Sequence, residues 1–172
     1  MPKKEDAKAI STKKLAEEIE RIKKSKLLKD KVVSLSEYRK LQHPKEPHHI
    51  LVVDDDESTR NVLRRLFEKE GYDVTLAKDA DELLGLLESQ PIELILLDIN
   101  LPWVDGFELC KLLKQHHDLK EVPIVFISGR KSEIDKKYAY QLGAQDYITK
   151  PFDIQEIKNT VRTLFSFHPK SA

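Results

Sequence analysis

Carboxylates, a hydroxyl and an ammonium group follow short apolar segments at separate places in this sequence. Asp54 and Asp55 end one segment, Asp98 ends another, Ser128 ends a third, and Lys150 follows a short fifth one. Three carboxylates brought to one place would repel one another at neutral pH. A hard divalent cation such as Mg²⁺ relieves that repulsion, because it binds few carboxylates and keeps sites for water and phosphate oxygens. With the hydroxyl and the ammonium opposite, the set can hold a phosphoryl group.

These groups meet only if the preceding segments are strands of one sheet. Continuous apolar runs at 50–53, 94–97 and 124–127 predict central strands, and the alternating 74–76 and short 147–148 predict edge strands. Apolar residues at helical spacing separate them. This pattern favours a doubly wound, flavodoxin-like (βα)5 α/β fold, with a parallel five-stranded sheet of order 2-1-3-4-5. In such sheets ligands bind beyond the carboxyl ends of the strands.

Four segments of the chain resemble the response-regulator receiver family in order and spacing. They are residues 50–56, residues 96–102 with Asp105-Gly106, residues 123–129 and residues 143–152. The resemblance covers about residues 48–167. It implies a bacterial two-component phosphorelay switch, whose phosphoryl donor is a sensor histidine kinase or a histidine phosphotransfer protein. Such a switch catalyses its own phosphorylation and hydrolysis and is not an enzyme in the usual sense.

The resemblance also implies a role for each matching residue of the pocket. Asp98 accepts the phosphoryl group, and Lys150, whose bond to Pro151 is typically cis in the family, contacts the phosphoryl oxygens. The implied Mg²⁺ ligands are Asp54, Asp55, Asp98 and the backbone carbonyl of Asn100. We expect Asn100 and Arg130, two residues beyond Asp98 and Ser128, to tune the lifetime of the phosphate.

Two further residues are implied to switch the protein. The Ser128 hydroxyl moves toward the new phosphate, and Tyr147 then turns inward. That change reshapes the surface of the fourth and fifth helices and the fifth strand of the (βα)5 unit, and so controls protein partners. Alternatively, Tyr147 is a plain edge-strand aromatic.

Neighbouring residues have other interpretations. Asp56 is expected to be a charge at a helix start, favoured by the helix dipole, and not a metal ligand. Asp105-Gly106 is expected to be a turn and a helix cap. Trp103, in the loop after Asp98, either shields the pocket or marks a partner surface.

Departures from the family affect the expected oligomeric state. Members with a winged-helix output domain often dimerise through charge pairs, and Lys136 and Glu156 match one pair. Leu142 and Thr160 stand where that group usually has an acid and an arginine, which leaves Asp146 without its usual partner. A homodimer of that type is therefore doubtful. Few residues follow Phe167, so we expect no fused output domain.

Three parts are predicted: a basic, partly helical N-terminal extension and linker at 1–47, the receiver at 48–168 and a tail at 169–172. Residues 1–47 hold 14 Lys and Arg against 8 Asp and Glu, whereas the whole chain has 30 of each. This asymmetry indicates mutual attraction of the two parts or an acidic partner. No apolar run approaches the ~20 residues of a membrane span, no export signal is present, and the single cysteine, Cys110, fits a packing role. We therefore expect a cytoplasmic protein without membrane contact.

Two helices are predicted in the extension. The first, within residues 11–31, carries Leu15, Ile19 and Ile22 on one face, and Ser34 with Glu37 opens a shorter second one. The receiver, a second copy or another protein can cover these faces, or the extension is a solvated basic tail. Nucleic-acid binding is disfavoured because eight acids dilute the positive charge. The competing function is a scaffold or nucleic-acid-associated adaptor that acts mainly through this extension.

Overall fold

A parallel five-stranded sheet of order β2-β1-β3-β4-β5 is the centre of the described chain. The computed structural model describes residues 12–29 and 47–167, with the side chains of 23–29 outside that description. The strands are β1 (His49–Val53), β2 (Asp73–Ala77), β3 (Leu94–Leu97), β4 (Ile124–Ser128) and β5 (Asp146–Thr149). The predicted strand order and edge strands are thereby confirmed.

Helices connect the strands and cover both faces of the sheet. They are α1 (Thr12–Lys29), α2 (Glu57–Lys69), α3 (Ala80–Ser89), α4 (Gly106–Gln115), α5 (Glu133–Gln141) and α6 (Ile154–Phe167). One apolar layer contains buried residues of α2 and α6, and the other contains those of α1, α3, α4 and α5. Every residue of β3 and β4 is buried, as expected for a sheet covered on two sides.

Local signals in the sequence set the helix ends. Asp79 is the N-cap of α3 and accepts a hydrogen bond from the backbone N–H of Glu82. The Glu82 carboxylate in turn accepts from the N–H of Lys78, one residue before the cap. Gly71 and Gly143 have φ of +87° and +90° after the ends of α2 and α5, a conformation in which glycine is the least strained residue.

The first predicted helix of the extension is confirmed, and the rest of the chain covers its apolar face. Leu15, Ile19 and Ile22 are 0%, 4% and 3% exposed and belong to the same apolar layer as α3 and α4. The solvated-tail interpretation is therefore wrong for this part of the extension. The predicted second helix around 34–41, most of the linker and the tail lie outside the described residues. Among the described helices, none is both long and apolar enough to cross a membrane.

Candidate functional site

Three carboxylates meet at the carboxyl edge of the sheet, as the strand order requires. Asp54 follows β1 and Asp98 follows β3, and these strands are hydrogen-bonded neighbours. One oxygen each of Asp54, Asp55 and Asp98 lies within 4.8 Å of the others. Asp54 and Asp98 are buried, at 2% and 7% exposed, whereas Asp55 is exposed. The cluster offers hard oxygen donors with one side open to solvent, a donor set that suits Mg²⁺.

The Lys150 ammonium joins the two buried carboxylates. Its Nζ donates to Asp54 Oδ2 at 2.7 Å and to Asp98 Oδ2 at 3.2 Å. The backbone N–H of Lys150 donates to the Ser128 carbonyl at 2.8 Å, and the bond to Pro151 is cis. Lys150 thus reaches across the sheet edge from β5 to the carboxylates after β1 and β3.

The pKa of two of these groups reflects burial and mutual charge. Burial raises the pKa of the Asp54 carboxyl, and the hydrogen bond from Lys150 offsets this only in part. The nearby charge of Asp98 raises that pKa further. Burial also opposes the charged form of Lys150, but its bonds to Asp54 and Asp98 prevail and raise the pKa of its ammonium. The charges at this edge are therefore strongly interdependent.

Backbone groups and one arginine fix the position of Asp54. Its Oδ1 accepts from the N–H of Asp56 at 2.8 Å, and its N–H donates to the Ala77 carbonyl at 3.2 Å. Arg60, one turn into α2, donates to the Asp54 carbonyl at 2.7 Å. The sequence interpretation missed Arg60, although an arginine six residues after the aspartate on the following helix is a recognisable signal.

Ser128 and Tyr147 lie together on the other side of the pocket. Ser128 is fully buried at the end of β4, and Tyr147 is 7% exposed. The Tyr147 hydroxyl donates to the Arg130 carbonyl at 2.7 Å. Burial raises the pKa of this phenol, and the nearby Ser128 hydroxyl opposes the increase. Tyr147 therefore faces inward here, with its hydroxyl beside the Ser128 loop, which a plain exposed edge aromatic would not do.

Asn100 and Arg130 contact each other between the two loops. Arg130 Nε donates to Asn100 Oδ1 at 2.8 Å, and an Arg130 NH2 group lies 3.5 Å from an Asp105 carboxylate oxygen. The guanidinium also lies over the Phe107 ring, at 5.8 Å from its centroid. A side-chain link therefore joins the loop after Asp98 to the loop after Ser128.

Asp56 and Asp105 have the structural positions that the sequence predicts. Asp56 caps α2, accepting from the N–H and hydroxyl of Thr59, both at 2.7 Å, and these bonds lower the pKa of its carboxyl. Asp105 caps α4 and accepts from the N–H of Phe107. Trp103 is 4% exposed, and its indole N–H donates to the Lys78 carbonyl at 3.1 Å. Its role is thus to fasten a loop, since it presents little surface to a partner.

Known proteins are similar to this chain in the part that contains the sheet and the pocket. The sequence pattern described as "Response regulator receiver domain" matches residues 50–162. The chain is 42% identical over 118 residues to the aerobic respiration control protein ArcA of Escherichia coli K12, covering 69% of this chain and 48% of ArcA. It is 42% identical over 115 residues to the alkaline phosphatase synthesis transcriptional regulatory protein PhoP of Bacillus subtilis, covering 67% and 47%. The match thus spans about half the length of these relatives.

A solved structure agrees with the sequence comparison. The fold is similar to the receiver domain of Francisella response regulator 1452, with a TM-score of 0.65 and 31% identity, covering 70% of this chain and 98% of that one. The family pattern begins at residue 50, so it does not include α1.

Proposed function

Since this chain belongs to the response regulator receiver domain family of two-component signalling, we propose that Asp98 is its phosphoryl acceptor. The donor is a phosphohistidine of a sensor kinase or of a phosphotransfer protein. The observation that carries the proposal is the position of Lys150, whose Nζ contacts both Asp54 and Asp98 at the sheet edge. Receivers of this kind are signalling switches, and no turnover of an external metabolite is proposed.

The proposed transfer is an in-line displacement at phosphorus. A carboxylate oxygen of Asp98 forms the new P–O bond while the P–N bond to the donor histidine breaks, and the electron pair of that bond stays on the imidazole. Lys150 neutralises charge on the phosphoryl oxygens, which it can reach because its ammonium already contacts Asp98 at 3.2 Å. Asp54, Asp55, Asp98 and the Asn100 carbonyl are the proposed Mg²⁺ ligands. The bound ion supplies additional positive charge to the transferred group.

Intact mass after incubation with acetyl phosphate or phosphoramidate tests the acceptor directly. With Mg²⁺ present, we expect one added phosphoryl group in the wild-type protein and none in Asp98→Asn. Asp56→Asn is the matched control, because Asp56 lies two residues from Asp54 but caps α2. Phosphorylation of Asp98→Asn, or its absence in the wild-type protein with these donors and with a phosphohistidine donor, would disprove the proposal.

We further propose that Ser128 and Tyr147 report the phosphate to the face formed by α5, β5 and α6. Tyr147 links the two regions, because its hydroxyl contacts the Arg130 carbonyl while its N–H donates to Asp146 at the start of β5. Exposed apolar side chains on this face, including Ile134 at 78% and Tyr140 at 50%, offer contact area to a protein partner.

A charge-pair homodimer through this face is disfavoured by the position of Asp146. Its carboxylate accepts from the Tyr140 hydroxyl at 3.2 Å and from the Thr160 hydroxyl at 2.9 Å. Lys136 pairs with Glu133 on its own helix at 2.9 Å. A second copy of the chain could form such charge pairs only by breaking these intramolecular bonds. We therefore propose that the output partner is a different protein. Light scattering of the activated protein tests this, and a dimer abolished by Asp146→Asn would contradict it.

A scaffold that acts mainly through the N-terminal extension is the second candidate. Because the receiver covers the apolar face of α1, such a scaffold would bind its partners through the exposed polar side of this helix, which includes Lys13 and Glu17. It predicts that Asp98→Asn leaves partner binding unchanged. Loss of binding in that variant would favour the phosphorylation switch.

A further inference from the structure

Helix α1 is attached to two helices of the receiver by apolar contacts and by one buried hydrogen bond. Its apolar residues Leu15, Ile19 and Ile22 are covered, and α1 packs against α3 and α4. His116, 2% exposed at the end of α4, has Nε2 at 3.0 Å from the Ile19 carbonyl. Because a carbonyl only accepts, Nε2 carries the proton, and Nδ1 is free to accept the N–H of Asp118 at 3.3 Å. Both ring nitrogens are therefore satisfied when α1 is docked.

The opposite ends of α3 and α4 are tied to the loop that carries Asp98. The Trp103 indole donates to the Lys78 carbonyl, one residue before the N-cap of α3. At the start of α4, the N–H of Gly106 donates to the Ile99 carbonyl at 2.9 Å. A Cβ at Gly106 would clash with the Asp98 carbonyl oxygen, so α4 begins in direct contact with the acceptor's backbone. The α1 docking face and the pocket thus share the same two helices.

We propose that docking of α1 on the α3–α4 face and occupation of the Asp98 pocket stabilise each other. The inference rests on the proposed phosphorylation switch. Its direction follows from the structure, in which α1 is docked while the hydrogen bonds of Trp103 and Gly106 hold the loop from Asp98 to Gly106 against α3 and α4. A ligand that fixes the loop from Asp98 to Gly106 also fixes the start of α4. The conformational entropy that is lost when α1 docks on α4 is then smaller. The extension is then a phosphate-responsive element and not an independent tail.

Linkage makes the proposal measurable at either site. If pocket occupation strengthens α1 docking by some factor, α1 docking strengthens ligand binding in the pocket by the same factor. Beryllium fluoride with Mg²⁺ is the probe, because it mimics a phosphoryl group on a carboxylate without covalent transfer. Trp103, the only tryptophan of the sequence, lies in the connecting loop and gives a fluorescence signal for the titration.

The substitution Ile19→Asp changes the docking face of α1 without changing a residue of the Asp98 pocket. A carboxylate at this buried position cannot stay in the apolar layer, so α1 should undock while the receiver keeps its sheet. Lys13→Asp is the matched control, since it introduces the same carboxylate on an exposed part of α1. We expect beryllium fluoride to bind Ile19→Asp at least about fivefold more weakly than the wild-type protein, a typical coupling between sites. Lys13→Asp should bind beryllium fluoride with an affinity within about twofold of the wild-type value.

Hydrogen exchange of the α1 amides in the wild-type protein gives a second measurement that needs no variant. When Mg²⁺ and beryllium fluoride are added, exchange of these amides should slow by about the same factor as the fivefold difference in affinity expected for Ile19→Asp. Equal affinity of wild type and Ile19→Asp, with α1 shown to be undocked in the variant, would refute the coupling. Unchanged exchange on saturation would refute it even if Ile19→Asp does not fold. If the wild-type protein fails to bind beryllium fluoride at all, the phosphorylation switch itself fails.

Discussion

Replacing Asp98 with asparagine should make the metal-free protein more stable. Asp54 and Asp98 are both buried, and an oxygen of each lies within 4.8 Å of the other. Two ionised carboxylates at that separation repel by about 3 kcal/mol at an effective dielectric constant near 20. Asp55 adds a repulsion of the same order, and the Lys150 ammonium at 3.2 Å attracts the Asp98 carboxylate by about 5 kcal/mol on the same scale. The asparagine amide removes both repulsions and that attraction, which leaves a net gain of about 1 kcal/mol in the free energy of unfolding.

Thermal unfolding at neutral pH and low salt, with a chelator present, measures this gain. A change of about 1 kcal/mol should raise Tm by about 3–6 °C for a domain of this size. Adding Mg²⁺ should then stabilise the wild-type protein more than Asp98→Asn, because the ion loses one anionic ligand in the variant. The difference between the two Tm values should therefore become smaller or change sign when Mg²⁺ is added.

Asp56→Asn is the control for a general effect of removing negative charge. Asp56 caps α2, and asparagine is an equally good N-cap, so its Tm should stay within about 1–2 °C of wild type. A lower Tm for Asp98→Asn in chelator would mean that the Lys150 bond outweighs the repulsion. That result would refute the interpretation of the site as a group of mutually repelling carboxylates that a bound cation stabilises.

Arg130→Ala removes the side-chain link to Asn100, so water should reach the phosphate more easily and its lifetime should shorten severalfold, whereas Lys131→Ala beside it should not change the lifetime. The raised pKa of Asp54 means that the metal-free folded protein binds its proton more tightly than the unfolded chain does. Stability should therefore fall as pH rises from 3.8 through the folded pKa, and Asp54→Asn should remove that part of the urea-unfolding profile. Burial raises the pKa of Cys110 to about 11, so a thiol reagent at neutral pH should label it only after unfolding.

Much of the sheet and of the pocket could be predicted because its signals are local. The fully apolar strands β3 and β4 stand out as continuous runs, and parallel connections bring their carboxyl ends to one edge. Asp54 and Asp98 are therefore placed together by topology alone. The helix caps Asp56 and Asp79 are predictable for a similar reason, since each bonds to backbone three residues away.

Long-range polar contacts could not be predicted in the same way. The His116 bond to Ile19 joins residues 97 positions apart, and no spacing rule connects a histidine to a helix carbonyl. The missing arginine partner of Asp146 was visible in the sequence, but its replacement by Tyr140 and Thr160 depends on the packing of α5 and α6 beside β5. Apolar spacing showed that α1 has one face to cover, without showing which surface covers it.

An ion pair between the described part of α1 and the receiver contributes little to the docking of this helix. The described ion pair between them joins Arg21 and Glu88 at 3.6 Å, with side chains 69% and 46% exposed. Such exposed pairs contribute about 0–1 kcal/mol and are screened by salt. Burial of Leu15, Ile19 and Ile22 is worth about 1.5–3 kcal/mol for each side chain. Apolar contact therefore dominates, and we expect α1 to keep its hydrogen-exchange protection at about 1 M salt, where the Debye length is about 3 Å. Loss of protection there would show that attraction between the basic extension and the acidic receiver holds the helix in place.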